Sequence, residues 1–123
     1  MAPGELGKVY EDQEVIVRQG DVGDSMFVIQ EGSVEIVLDR DGQETRLRVA
    51  GPGEFIGEMA IFEREPRSAT VRAMGRVRAL TVDRKNFLRR INEDPTLAFH
   101  LVQTMSRRVR ELSGEVARLR QLI

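Results

Sequence analysis

Residues 25–53 read SMFVIQEGSVEIVLDRDGQETRLRVAGPG, and their punctuation decides the architecture. Residues 25–30 form an apolar run that breaks at Glu31-Gly32. Beyond the break Val34, Ile36 and Leu38 alternate with Glu35 and Val37, and Asp39-Arg40-Asp41-Gly42 has the composition of a hairpin turn. Leu47 and Val49 then alternate with Arg46 and Arg48 until Gly51-Pro52-Gly53 stops the strand. The same grammar continues on both sides. Residues 14–18 end at Gln19-Gly20-Asp21, while residues 69–73 and 77–82 flank an expected turn at Met74-Gly75-Arg76. Short strands cut by turns at this spacing predict an antiparallel sandwich or barrel.

After Asp83 the period changes. Phe87, Leu88 and Ile91 fall on one face of a short helix, and Asp94-Pro95 supplies an N-cap and an N1 proline for a second one. No proline follows and Gly114 is the only later glycine, so this helix is expected to run over 95–123, roughly 44 Å at 1.5 Å per residue. Met105, Val109, Leu112, Val116, Leu119 and Ile123 are spaced 4, 3, 4, 3, 4. Read as heptads, Val109, Val116 and Ile123 take a and Met105, Leu112 and Leu119 take d. Branched residues at a with leucine at d favour a parallel two-stranded coil, in which Glu115 would pair with Arg120 of the other chain. The stripe could instead pack on its own domain. A helix this long exceeds what a small β domain can cover, so a homodimer through it is expected.

The bulk composition sets limits. A chain of 123 residues is long enough for one modest core, so a single domain over 1–123 is expected, with a β part at 8–83 and a helical segment at 84–123. Cysteine is absent and His100 is the only histidine, which excludes disulfides, thiolate metal sites and any histidine cluster. An enzyme built on a metal-binding β-roll of the cupin type needs about three inward ligands, mostly histidines, so neither catalytic nor metal residues are expected. No apolar run is long enough to span a bilayer, and the opening MAPGELGKVYEDQE has no signal-peptide pattern, so a cytoplasmic location is expected. A net charge of −1 argues against a nucleic-acid binder. The charge is uneven, however. Residues 1–83 carry 10 basic and 16 acidic side chains, a balance of −6, whereas residues 84–123 carry 9 and 4, a balance of +5. A solvated helix dressed in arginines accounts for this, with an acidic or otherwise unknown effector as the alternative.

The candidate chemistry lies in residues 55–71, FIGEMAIFEREPRSATV. Gly57 permits close approach of the backbone, and residues 58–63 could form a turn or two of helix with free leading amides, an anion site. Arg67, whose local backbone is set by Pro66, has a planar fork of donors suited to phosphate oxygens. Ser68 could add a hydroxyl and Ala69 an N–H. Glu58 would repel a phosphate but could accept from a sugar hydroxyl. One anion, one hydroxyl and an apolar wall describe a nucleotide. A structural Glu58–Arg67 salt bridge is the other reading of the same residues.

The segments Phe55-x-Gly57-Glu58-Met59-Ala60 and Pro66-Arg67-Ser68-Ala69-Thr70-Val71 resemble the phosphate-binding cassette of the cyclic-nucleotide-binding domain family. That family includes the bacterial catabolite activator protein, the regulatory subunits of the cAMP-dependent kinase and nucleotide-gated channels. Glu14-x-Ile16, Gln19-Gly20-Asp21, Phe27-x-Ile29-x-x-Gly32-x-Val34 and Gly53-x-Phe55 agree with it as well, so the resemblance covers roughly residues 8–123. It implies a mainly β fold with C-terminal α structure, an antiparallel β-roll (double-stranded β-helix, jelly-roll-like) followed by a short helix and a long C-terminal helix. It further implies that Arg67 holds a cyclic phosphate, with the amides of Gly57, Ala60 and Ala69 and the hydroxyl of Ser68 completing the cradle. Glu58 would take the ribose 2′-hydroxyl. By alternation Ile36 and Leu47 should point beneath sugar and base, and Leu112 and Ser113 on the last helix should close over the base.

Three positions depart from the pattern. Leu112 stands where some relatives have the threonine of a Thr-Ser pair that holds adenine, Gln13 stands where glycine is frequent, and Ser68 replaces an alanine and could favour guanine. The implied ligand is cAMP, with cGMP possible. The implied function is a sensor that signals through its C-terminal helices, hinged between Leu80 and Asp94, with no other cofactor. No DNA-binding helix pair is expected within the 123 residues. The alternative is the ligand-binding fragment of a larger cAMP-responsive transcription regulator or of a gated channel.

Overall fold

The computed structural model describes residues 7–122, and Ile123, the last position of the heptad stripe, lies outside them. The chain divides after Arg84 into two compact units. The first holds strands β1 (Lys8–Tyr10), β2 (Val15–Val17), β3 (Ser25–Arg40), β4 (Gln43–Ala50) and β5 (Phe55–Ile56), the one-turn helix α1 (Met59–Phe62), and β6 (Thr70–Asp83). They form one antiparallel six-stranded sheet in the order β1-β6-β3-β4, with β2 added to β6 and β5 added to β3. The expected β-roll, short helix and long C-terminal helix are therefore present.

Two local expectations are corrected. The breaks at Glu31-Gly32 and at Met74-Gly75-Arg76 are bends inside unbroken strands. β3 and β6 stay paired from Ser25↔Asp83 to Val37↔Thr70, shifting register between Ile29 and Glu31 and again between Glu31 and Ser33. At Gly32 φ is +85°, and a Cβ there would lie 2.3 Å from the Arg76 carbonyl oxygen. Glycine thus lets two strands cross closely, and the ladder on either side overrides the local turn signal. The second correction concerns β4. Ile36 pairs with Arg48 and Val37 with Arg46, so Leu47 is the extra residue of a bulge. A bulge resets the alternation beyond it. Leu47 is accordingly 54% exposed and points away from the core.

The core sits between the bent halves of β3 and β6. Ile29, Val34, Ala50, Ile56, Val77 and Ala79 are its most deeply buried members, with Ile16 and Ile36 packed against it. Beside it lies an ionic quartet centred on one buried carboxylate. Glu35, only 7% exposed, accepts from Arg46 Nε at 3.2 Å and Arg72 Nε at 3.1 Å, and Arg72 also grips both Glu44 oxygens at 3.3 and 3.2 Å. Cross-strand pairing aligns these groups, because Glu35 faces Arg72 on β6. Burial alone would raise the Glu35 carboxyl, but hydrogen bonds and charge from Arg72 and Arg46 hold it below its ordinary 4.5.

The second unit consists of the remainder of α2 (Arg84–Glu93) and α3 (Pro95–Gln121). Asp94 caps α3 by accepting from the Thr96 N–H at 3.1 Å, and Pro95 occupies the first turn, as expected. Along α3 Val109, Leu112, Val116 and Leu119 are exposed while Met105 is half-buried. Glu115 lies 3.8 Å from Arg118 of its own helix. Among the described residues no helix is long and apolar enough to cross a membrane.

Glu35→Gln should cost about 1–2 kcal/mol in urea unfolding at pH 7, because hydrogen bonds to a charged group are lost while Arg46 stays half in solvent. A folded carboxyl below its unfolded value contributes stability above pH 4.5, and that contribution disappears as pH falls through the lowered value. The gap between wild type and variant should therefore close in acid. A gap constant down to the acid transition would show that the quartet does not stabilise through charge.

Candidate functional site

Within the β unit, a cavity of about 290 Å³ opens between β3, β4, β5 and the segment from α1 to β6, near the lower end of the ~300–1,000 Å³ typical of small-molecule sites. Its floor is apolar, with Val17, Ile36, Ile56 and Val71, and its wall carries Gly57, Glu58, Ala60, Arg67, Ser68 and Ala69. Among the described residues no group of three or more His, Cys, Asp or Glu could hold a metal ion.

Arg67 is pinned before its side chain is considered. Its N–H donates to the Asp21 carbonyl at 2.7 Å, and its own carbonyl accepts from the Gly20 N–H at 2.8 Å. The Gln19-Gly20-Asp21 turn is thus the clamp on the cassette. The neighbouring Gln19 binds both backbone groups of Asp39, from Nε2 to the carbonyl at 3.0 Å and from the N–H to Oε1 at 2.8 Å. The guanidinium lies half-buried, with Nη1 donating to the Gly57 carbonyl at 3.2 Å and Nη2 to the Ser25 carbonyl at 2.8 Å. Two glycines make room for it. A Cβ at Gly57 would lie 2.8 Å from Nη1 and one at Gly23 would lie 2.9 Å from Nη2. Burial pulls the guanidinium below its ordinary value, and the carboxylates of Asp24 and Asp21 oppose that pull.

Gly57 has φ +73°, which turns its carbonyl toward Arg67 and starts α1. Glu58 sits at the N-cap, is 8% exposed, makes no side-chain capping bond and lines the cavity. The Ala60 N–H does not remain open as expected. It donates to the Gly57 carbonyl at 3.2 Å, closing the first turn. A helix of four residues also carries little macrodipole, so the positive charge of the wall comes mainly from Arg67 rather than from α1. The far end of α1 is held by Arg84, where α2 begins: Nε donates to the Ile61 carbonyl at 2.8 Å and Nη2 to the Ala60 carbonyl at 3.1 Å.

Seven residues named from the sequence therefore share one cavity: Ile36, Gly57, Glu58, Ala60, Arg67, Ser68 and Ala69. Leu47 does not, and Arg48 lines the cavity in its place, because the bulge reverses which neighbour faces inward. Arg48 Nη1 meets Glu54 Oε1 at 3.4 Å, and Glu54 Oε2 accepts from the Gly51 N–H at 2.6 Å. Strict alternation excluded Arg48, and a bulge leaves no composition signal there. Glu63 and Glu65 also line the cavity and were missed, although the cassette contains both. Leu112 and Ser113 belong to α3 in the other unit, where Leu112 is exposed.

The family model of the cyclic nucleotide-binding domain matches residues 7–94. Over 110 residues the chain is 32% identical to the cyclic AMP receptor protein of Thermus thermophilus, covering 89% of this chain and 51% of that one. It is 37% identical over 81 residues to a cAMP-dependent protein kinase regulatory subunit of Blastocladiella emersonii, covering 65% of this chain and 20% of the relative. The crystal structure of the Thermus thermophilus catabolite activator protein aligns with a TM-score of 0.83 at 30% identity, covering 97% of this chain and 60% of that one. The chain spans about a fifth to a half of the length of these two curated relatives.

The two glycines beside Arg67 should behave differently when replaced. Gly23→Ala has no positive φ to strain but pushes on a guanidinium that two carbonyls hold, and should cost about 0.5–1 kcal/mol while displacing it. Gly57→Ala adds a Cβ at positive φ and should cost about 1–2 kcal/mol. Urea unfolding of both variants measures the difference; equal costs would contradict this account of Gly57.

Proposed function

Because the chain belongs to the cyclic nucleotide-binding domain family, we propose that its cavity takes a cyclic nucleotide, cAMP in the first reading, and that the chain is a regulatory sensor and not an enzyme. The observation that carries this is Arg67, a half-buried guanidinium in the wall of an apolar-floored cavity with Glu58 in the same wall. Two of its five donors go to carbonyls, and the rest suit phosphate oxygens. Ser68, Ala69 and Gly57 add donors. Glu58 accepts from the ribose 2′-hydroxyl, and Ile36 supplies an apolar contact beneath the sugar and base. Leu112 and Ser113 on α3 remain the proposed lid over the base.

A second reading, cGMP, is favoured by Arg48. Released from Glu54, its guanidinium would pair in two-pronged fashion with guanine O6 and N7, whereas adenine presents a donor at the first of these places. Relatives named for cAMP support the first reading.

Signalling would run through Arg84, which holds the carbonyl end of α1 and is the residue at which α2 begins. A ligand shifts such an equilibrium only by its differential affinity for the two arrangements. On this proposal roll and helices act as one cytoplasmic domain, and the exposed Val109, Leu112, Val116 and Leu119 pair two copies along α3. The whole protein would be this sensor or a larger regulator or channel that contains it.

Calorimetry with cAMP and cGMP tests the ligand. Arg67→Ala should weaken binding by ~2–5 kcal/mol, the cost of removing one partner of a buried charged pair. Wild-type affinity in a folded Arg67→Ala protein ends the proposal. Arg48→Ala should lower the cGMP-to-cAMP affinity ratio about tenfold if the second reading holds, since a good bidentate pair discriminates by ~1–3 kcal/mol. An unchanged ratio leaves cAMP. Sedimentation tests the helix: wild type should be a dimer and Val116→Glu/Leu119→Glu a monomer, and a monomeric wild type would remove dimerisation from the proposal.

A further inference from the structure

We propose that the cavity accepts one negative charge and rejects two, and that Glu63 and Glu65 set this limit. The inference rests on the cyclic-nucleotide reading and adds a selectivity to it: a phosphodiester is taken and the corresponding 5′-monoester is turned away.

The argument is a census of charge. Two guanidiniums line the cavity, those of Arg48 and Arg67. Arg48 is already committed to Glu54, which is itself anchored on the Gly51 N–H. That leaves Arg67 alone to neutralise a phosphate, and it faces Asp21 and Asp24 in the neighbouring loop. Three carboxylates, Glu58, Glu63 and Glu65, line the same cavity. Glu58 has a use as the acceptor of a sugar hydroxyl. Glu63 and Glu65 have none in that reading, yet their backbone is not free to swing away. The Glu63 N–H closes the end of α1 on the Met59 carbonyl at 2.7 Å, and Glu65 precedes Pro66 and the pinned Arg67.

A cyclic phosphodiester carries one charge at every pH near neutrality. A phosphomonoester loses a second proton near pH 6 and approaches two charges above it. The second charge meets no uncommitted cation among the lining residues and two carboxylates instead. Glu63 and Glu65 are exposed, so their repulsion acts through solvent and is screened by salt. Two such carboxylates within roughly 6–12 Å of the phosphate, acting through a water-like medium, would give about three- to tenfold discrimination.

Competition calorimetry on the full chain tests this with cAMP and 5′-AMP as probes. In Glu63→Gln/Glu65→Gln the ratio of cAMP to 5′-AMP affinity should fall about three- to tenfold at low salt, mainly because 5′-AMP binds more tightly, and the difference should shrink at 1 M salt. In wild type, 5′-AMP should bind about two- to fivefold more tightly at pH 6 than at pH 8, as its monoanion becomes populated, while cAMP stays level. A ratio unmoved by the double substitution, or 5′-AMP affinity level across that pH range, overturns the charge limit. Tight cAMP binding with either result leaves the functional reading standing and removes only this inference. Failure of cAMP and cGMP alike to bind overturns both.

Discussion

The hold of two main-chain carbonyls on one guanidinium is the interaction from which the rest of the site follows. Arg67 is fixed at its backbone by the Gly20–Asp21 turn and at its tip by the oxygens of Gly57 and Ser25. Those oxygens come from the loop before α1 and from the first residue of β3, so the side chain joins parts of the roll that are far apart in sequence. Carbonyl dipoles orient the fork without cancelling its charge. A charge withdrawn from water and left without full cancellation is costly, which makes it a sign of a site more than of a scaffold.

Glu35 is the instructive contrast. It is more deeply buried, on β3 of the sheet itself, but two arginines neutralise it and a second glutamate completes the group. Such a quartet joins β3, β4 and β6 and has no charge left to offer a ligand. The β unit therefore holds a buried charge cancelled within its sheet and a half-buried one, in the segment before β6, that lines a cavity without a salt-bridge partner of its own.

The helical unit shows a different kind of incompleteness. Its caps are satisfied by Asp94 and Pro95, yet one long face of α3 remains apolar and exposed. Arg84, the last residue of the β unit, holds the Ala60 and Ile61 carbonyls of α1 and is also the residue at which α2 starts.

How much of this was legible depended on whether the signal was local. The antiparallel class, the hairpin at Asp39–Gly42, the Asp94-Pro95 helix start and the cassette with Glu58 and Arg67 could all be read from adjacent residues, because turn chemistry, capping and phosphate recognition each use residues a few positions apart. Gly32 and Gly75 were misread as breaks, since a glycine signals positive φ without saying whether the chain turns or merely bends. Leu47 and Arg48 were exchanged because a bulge on β4 is imposed by its partner strand and leaves no mark in composition. The open Ala60 amide was expected from a longer helix than forms. By itself, then, the order of residues determined the elements, their antiparallel pairing and the identity of the charged pair, all consequences of local stereochemistry. Which side chain of β4 enters the cavity, which carbonyls receive Arg67 and which acids surround it were decided only when distant strands met, because register and burial are properties of contacts between segments and of no segment alone.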